Sequence, residues 1–190
     1  MPHLIFVRHS ITKQQPEVSS HDWTLTPEGE ARCAILAEKL KPYAPAVIVT
    51  SEEPKARLTG EITARHLGVP TETEHGLHEH LRHNEPYTSA EEFLAKIRAL
   101  LTRPDEQVFG EESGAVARQR FEQAVQNILA RHPGQTVAAV THGTVLSLFL
   151  AHRAQLDPIA YWQSIGMPAY IVLSLPDYRV VERVDTVAEA

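Results

Sequence analysis

The stretch His3-Leu4-Ile5-Phe6-Val7-Arg8-His9 constrains this chain more than any other. Four consecutive apolar residues bounded by polar ones leave no face for water. That predicts a strand buried on both sides, as in a parallel sheet covered by helices. Such a strand hands Arg8 and His9 to its carboxyl end, where open α/β sheets bind ligands. A second run, Thr136-Val137-Ala138-Ala139-Val140-Thr141, ends the same way in His142-Gly143. Two buried strands that each deliver a histidine to one sheet edge make that edge the candidate site.

Between them the chain alternates. Thr26-Pro27-Glu28 marks a helix start, with a threonine cap, proline in the first turn and an early carboxylate; the helix runs to about Leu40. Ala46 to Thr50 reads as a strand, and Ser51 as the cap of a helix with Glu52, Glu53 and Pro54 in its first turn, continuing to about Leu67. A short strand near Thr71 to Thr73 precedes a histidine-rich stretch from His75 to His83. Helices follow at Ala90 to Leu101 and Ala115 to Arg131, then a helix from the second histidine motif to about His152, and one or two turns between Pro158 and Ile165. Ala169 to Leu175 and Arg179 to Val184 read as strands joined by a turn at Pro176-Asp177. This order predicts an α/β fold, a three-layer α-β-α sandwich with a mostly parallel central sheet. One domain spans residues 1–190, with residues 76–114 as an inserted cap over the site.

At 190 residues the chain can bury a substantial core. A net charge of −6 and the lack of any Lys/Arg block argue against a nucleic-acid partner. The single cysteine, Cys33, shares a helical stripe with Leu36, Ala37 and Leu40 and reads as core. Val137 to Ala151, the longest apolar region, is too short for a membrane span and is broken by His142-Gly143. No signal-peptide pattern precedes the first strand, so a cytoplasmic protein without a membrane partner is expected.

The residues around both histidines resemble a known family. Arg8-His9-Ser10-Ile11-Thr12 is similar to the Arg-His-Gly-x-Thr signature of the histidine phosphatase superfamily, the phosphoglycerate-mutase-like proteins. Thr141-His142-Gly143 resembles its second histidine motif, and Leu25-Thr26-Pro27-Glu28-Gly29 its Leu-Thr-x-x-Gly segment. Thr50 to Gly60 is similar to its Ser-Ser-x-x-x-Arg-Ala-x-x-Thr-Ala pattern, with Lys55 where the family's phosphate-binding arginine stands. Arg57 lies two residues away, about 200° around a helix, and so faces elsewhere. Leu77-His78-Glu79 matches a Leu-x-Glu pattern that supplies an acid/base carboxylate. Glu112-Ser113 and Arg120 resemble the family's Gly-Glu-Ser and downstream arginine.

The resemblance implies a metal-independent phosphatase with no cofactor, acting on a small phosphorylated substrate. His9 would be the nucleophile, since a neutral imidazole offers a lone pair at physiological pH. Phosphoryl transfer is governed by positioning and charge stabilisation, for which Arg8 supplies a fork of donors and Lys55 and His142 further positive charge. N–H groups at the helix start after Gly143 would add donors. Glu79 would donate a proton in the first step and activate water in the second. Gln15 sits where relatives have a phosphate-contacting asparagine. Thr12 contacts phosphate or stabilises the turn, and Arg82 meets a substrate anion or is solvated.

Two departures bear on activity. Ser10 replaces glycine, which is tolerated unless the position needs a positive φ. Lys55 keeps a charge but loses bidentate geometry. Three other readings stand beside the phosphatase. One is a phosphoglycerate-mutase-type phosphoryl transferase, although the Glu-Arg-His-Tyr-Gly segment of glycolytic mutases is missing after Leu77. Another is a phosphate-binding module with weak turnover. The last is a metal hydrolase built on His75, His78, His80 and His83, whose spacing misses His-Glu-x-x-His by one residue.

Overall fold

A computed structural model describes residues 2–188. The first strand, β1 (His3–Arg8), has Leu4, Ile5, Phe6 and Val7 fully buried, as the apolar run requires. It lies inside a six-stranded sheet with β2 (Val47–Thr50), β3 (Thr71–Thr73), β4 (Val137–Thr141), β5 (Ala169–Ser174) and β6 (Val180–Val184), in the order β3-β2-β4-β1-β5-β6. β3, β2, β4 and β1 run parallel, whereas β5 and β6 are antiparallel to their neighbours.

Alternation along β1 divides the core into two layers. Ile5 and Val7 face α1 (Pro27–Leu40) and α2 (Pro54–Leu67), packing with Leu36, Leu40, Ala56 and Ala64. Leu4 and Phe6 face the opposite layer, which contains α3 (Ala90–Thr102), α4 (Gly114–Arg131), α5 (Gly143–Arg153) and α6 (Pro158–Ser164). Phe6, Phe121 and Phe149 meet there with centroids 5.1–5.5 Å apart. Each such buried ring contributes about 1.5–3 kcal/mol through area removed from water. The three-layer α/β sandwich is therefore the observed fold.

The expected helix starts hold where a cap makes them. Thr26 accepts from Gly29 N at 3.0 Å, and Ser113 accepts from Val116 N. α2 differs. It begins at Pro54 with Glu53 as its N-cap position, so Ser51 to Glu53 lie ahead of the helix and not in its first turn. Proline at the first helical position accounts for this, since its fixed φ suits a start and it has no N–H to lose. Residues 76–114 do not stand apart from the main core: Ile97, Leu100, Leu101 and Phe109 belong to the same buried cluster as Phe6. Cys33 is buried core, as its stripe predicts, and burial pushes its thiol up to about 11.

Gly29, at the start of α1, is pressed against the loop that follows β1. A Cβ there would overlap the Ile11 carbonyl oxygen.

Candidate active site

β1 and β4 are adjacent and in register, with Arg8 opposite Thr141, so both strands end at one level. His9 N donates to Thr141 O at 3.0 Å, which fixes the start of the loop after β1. The His9 and His142 rings then lie 5.3 Å apart. His9 Nδ1 is 2.8 Å from the Ser10 carbonyl oxygen. A carbonyl only accepts, so Nδ1 carries the proton and Nε2 keeps its lone pair. Burial, with His142, Lys55 and Arg8 nearby, holds His9 well below the ordinary histidine range and therefore neutral.

Ser10 resolves the first departure from the family signature. It is not among the residues with positive φ. Its Oγ donates to Gly29 O at 2.7 Å, and its N donates to Thr59 Oγ1 at 2.9 Å. Serine fits here and ties the histidine loop to α1 and α2.

His9 lines a cleft of about 470 Å³. Arg8, Thr12, Lys55, Glu79, Arg82 and Gly143 all line it. Arg8 spends one donor on the Ile165 carbonyl at 2.5 Å, while its Nε is buried without a partner. Lys55 is buried, and its ammonium meets Ser20 O at 2.6 Å and Glu53 Oε2 at 2.5 Å. Burial pushes Lys55 down and Glu53 opposes that push. Arg82 is not solvated: its Nη2 is 3.7 Å from Glu79, its Nη1 is buried and unpartnered, and its guanidinium lies over the Phe93 ring.

Glu79 is clamped by main chain. It accepts from His80 N at 2.8 Å and from Thr144 N and Val145 N, both at 3.1 Å. Burial pushes its carboxyl up, but Arg82, His142 and these N–H groups outweigh that and hold it well below the usual carboxylate range. Two expectations are corrected here. The N–H groups of Thr144 and Val145 at the start of α5 already serve Glu79, so they do not wait for phosphate. The resting carboxyl is held ionised by Arg82, His142 and these N–H groups, so at rest it carries no proton to donate.

Gln15 does not line the cleft; its main-chain carbonyl accepts from Trp23 Nε1 at 3.1 Å. The neighbouring Gln14 lines it and meets Tyr87. Trp23, Tyr87, Phe93, Phe109 and Trp162 add aromatic surface to the lining. In the histidine-rich stretch the His75 and His78 rings lie 5.4 Å apart, but His78 Nδ1 is 3.0 Å from Glu79 O and His80 Nε2 is 2.8 Å from Glu112 O. Among the described residues no group of three or more histidine, cysteine or carboxylate side chains is placed to hold a metal ion. Nor, among them, is any helix long and apolar enough to cross a membrane.

The residue that sequence reading missed is Glu53. It is buried and bonds Lys55, His21 (3.2 Å), the Glu79 N–H (2.6 Å) and His142 (3.3 Å). Its only sequence signal is Pro54, which places it at the cap position, off the helix surface.

A family model described as histidine phosphatase superfamily (branch 1) matches residues 4–181. The chain belongs to this superfamily. No curated protein sequence matches it. Its fold is shared with several solved superfamily-like structures. Phosphoserine phosphatase from Entamoeba histolytica in complex with 3-phosphoglyceric acid is 19% identical, with a TM-score of 0.79 over 98% of each chain. A mycobacterial glucosyl-3-phosphoglycerate phosphatase is 21% identical, with a TM-score of 0.75 over all of both chains. The alpha-ribazole phosphatase of Shigella flexneri is 16% identical, with a TM-score of 0.75 over 99% of this chain and 98% of that one. Within the superfamily fold, the two motif histidines of this chain are those at the ends of β1 and β4.

Proposed function

We propose that this chain is a phosphatase that hydrolyses a phosphate monoester through a phosphohistidine on His9, with no metal required. The observation that carries this reading is the state of His9. Its Nδ1 proton is committed to Ser10, so a neutral Nε2 lone pair is available beside Arg8, Lys55 and Arg82. In the first half-reaction Nε2 forms a bond to phosphorus and the bond to the leaving oxygen breaks. In the second, water attacks phosphorus, Glu79 takes its proton and the N–P bond breaks. Arg8, Lys55 and Arg82 meet the charge spread over the phosphoryl oxygens.

Glu79 starts ionised, the form that the second half needs. An aryl leaving group departs without an acid, whereas an alkoxide requires Glu79 to take up a proton first. Superfamily membership and the phosphatase activities for which the three neighbours are named support a small phosphorylated substrate. The walls supplied by residues 79–109, with Trp162 and Met167, suit an ester whose alcohol part has an apolar or aromatic face. We assign substrate preference to that segment.

A second reading rests on Glu53, which brings a carboxylate against Lys55. It is a phosphate-binding protein with slow turnover. One assay separates the two: hydrolysis of p-nitrophenyl phosphate by wild type and His9→Ala, with chelator throughout. Activity that survives chelator and vanishes in the variant is expected. Activity abolished by chelator overturns the metal-free mechanism. Tight binding of vanadate with no hydrolysis establishes the second reading.

A further inference from the structure

The cleft holds one hydrogen-bond donor that no sequence motif pointed to. Trp162 stands in α6 and lines the cleft together with Arg8 and Gly143. An indole N–H donates and cannot accept. Among the described residues the Trp162 N–H has no acceptor. The residue is half-buried, and its nitrogen is not one of the enclosed, unpartnered atoms, so it stays open to solvent. Trp23, the other tryptophan of the lining, differs: its N–H is spent on the Gln15 carbonyl at 3.1 Å.

The place of the Trp162 nitrogen is well defined. A Cβ built on Gly143 would stand 3.4 Å from Trp162 Nε1 and 3.4 Å from Arg8 Nε. The indole and the guanidinium therefore border the same bare α-carbon, and Arg8 Nε has no protein partner either. One short segment seats both groups. Arg8 Nη1 donates to the carbonyl of Ile165, just beyond α6, at 2.5 Å. Gly166 N then donates to Asp185 O at 2.6 Å, which ties that segment to the chain after β6. The Trp162 ring packs near Phe93, with centroids 6.1 Å apart. A wall that offered only apolar surface would need the ring and not the N–H. An open donor fixed beside a cation suits an oxyanion.

We propose that Trp162 donates its indole N–H to a phosphoryl oxygen of the bound ester, beside the Arg8 guanidinium, and is thus a further catalytic residue. This inference rests on the proposed function in taking the cleft as a phosphoryl site. The contact is a hydrogen bond: no covalent bond forms or breaks, and the indole keeps its proton. Being neutral, the indole orients an oxygen without adding positive charge beside Arg8 and Lys55.

Inorganic phosphate is the probe, because it has no ring whose current would move an indole signal. The 15N-labelled full chain has two tryptophans and so two indole N–H signals, which Trp23→Phe or Trp162→Phe assigns. Saturating phosphate is expected to move the Trp162 signal downfield, as donation to an anion does. The Trp23 signal, already bonded, should stay nearly in place. Trp162→Phe keeps a ring near Phe93 and removes the donor. It should weaken phosphate about tenfold or more by titration calorimetry and lower kcat/KM for p-nitrophenyl phosphate by a similar factor. Phosphate bound with the Trp162 signal unmoved overturns the inference and leaves the phosphatase reading standing; this arm needs no variant at position 162 to fold. Phosphate held by Trp162→Phe as tightly as by wild type overturns it too. No phosphate binding to wild type by calorimetry overturns the phosphoryl reading of the cleft together with this one.

Discussion

Two helix starts border His9, and they are built from different materials. At α5 the contacts are main chain: Thr144 N and Val145 N close on Glu79, and β4 leads directly into the helix. At α2 they are side-chain charges: Glu53 gathers Lys55, His21 and His142 around one buried carboxylate. A main-chain clamp tolerates many sequences, because every residue but proline brings the same N–H. A buried ion cluster depends on each member, since removing one leaves an unpaired charge out of water. The β1–α5 half of the site thus depends little on which side chains follow His142, and the α2 half depends on each of its charged members.

The sharpest break would come at the nucleophile that both halves serve. His9→Ala should lower kcat for aryl phosphate at least about 10⁴-fold with the fold retained, checked by steady-state assay and circular dichroism. On the α5 side, Glu79→Gln should reduce steady-state turnover about 10²–10³-fold while leaving a burst of one nitrophenolate per site. A lost burst would show that Glu79 is already needed for phosphorylation of His9. Arg82→Ala should raise KM for the same ester about tenfold or more with a smaller change in kcat, because its unpartnered Nη1 is a donor held ready for an anion.

Acid should act on both halves together. Buried His9 and His142 are held below 6.5, so the unfolded chain binds more protons than the native one as pH falls through that value. Glu79 and Glu53 are held below 4.5, and their contribution is lost on further acidification. Denaturant unfolding should therefore show full stability above about pH 6.5, a decline below it and a steeper one below about 4.5. The smallest effect is expected from Lys55→Arg, within about threefold in kcat/KM. The Lys55 ammonium is already held by Glu53 and Ser20, so a wider fork gains little there. A large gain would show that the residue at position 55 meets the phosphoryl group directly, in spite of its contacts with Glu53 and Ser20.

This division also explains what the sequence made legible. The buried strands, the helix cap at Thr26 and the pairing of His9 with His142 follow from apolar runs and cap chemistry, which act locally. Ser10 needed only its φ to be accepted. Glu53 was hidden because a carboxylate before Pro54 reads equally well as a solvated first turn, and only its burial against three distant segments shows otherwise. Gln15 was misplaced because the loop from Ser10 to Trp23 has no periodicity, so a shift of one residue, to Gln14, goes unseen. Arg82 lies outside any helix or strand, so its direction depends on Phe93, far along the chain, as well as on nearby Glu79.

Gly29 touches neither substrate cleft nor charge, yet it has no room for a methyl group beside the Ile11 carbonyl. In a survey of every single substitution, its profile should therefore mimic that of a reacting residue. The cause is purely spatial, because any side chain there pushes α1 away from the turn that presents His9. Mutational intolerance at this surface helix would mark the seating of the nucleophile, and a library aimed at new substrates should leave that position alone.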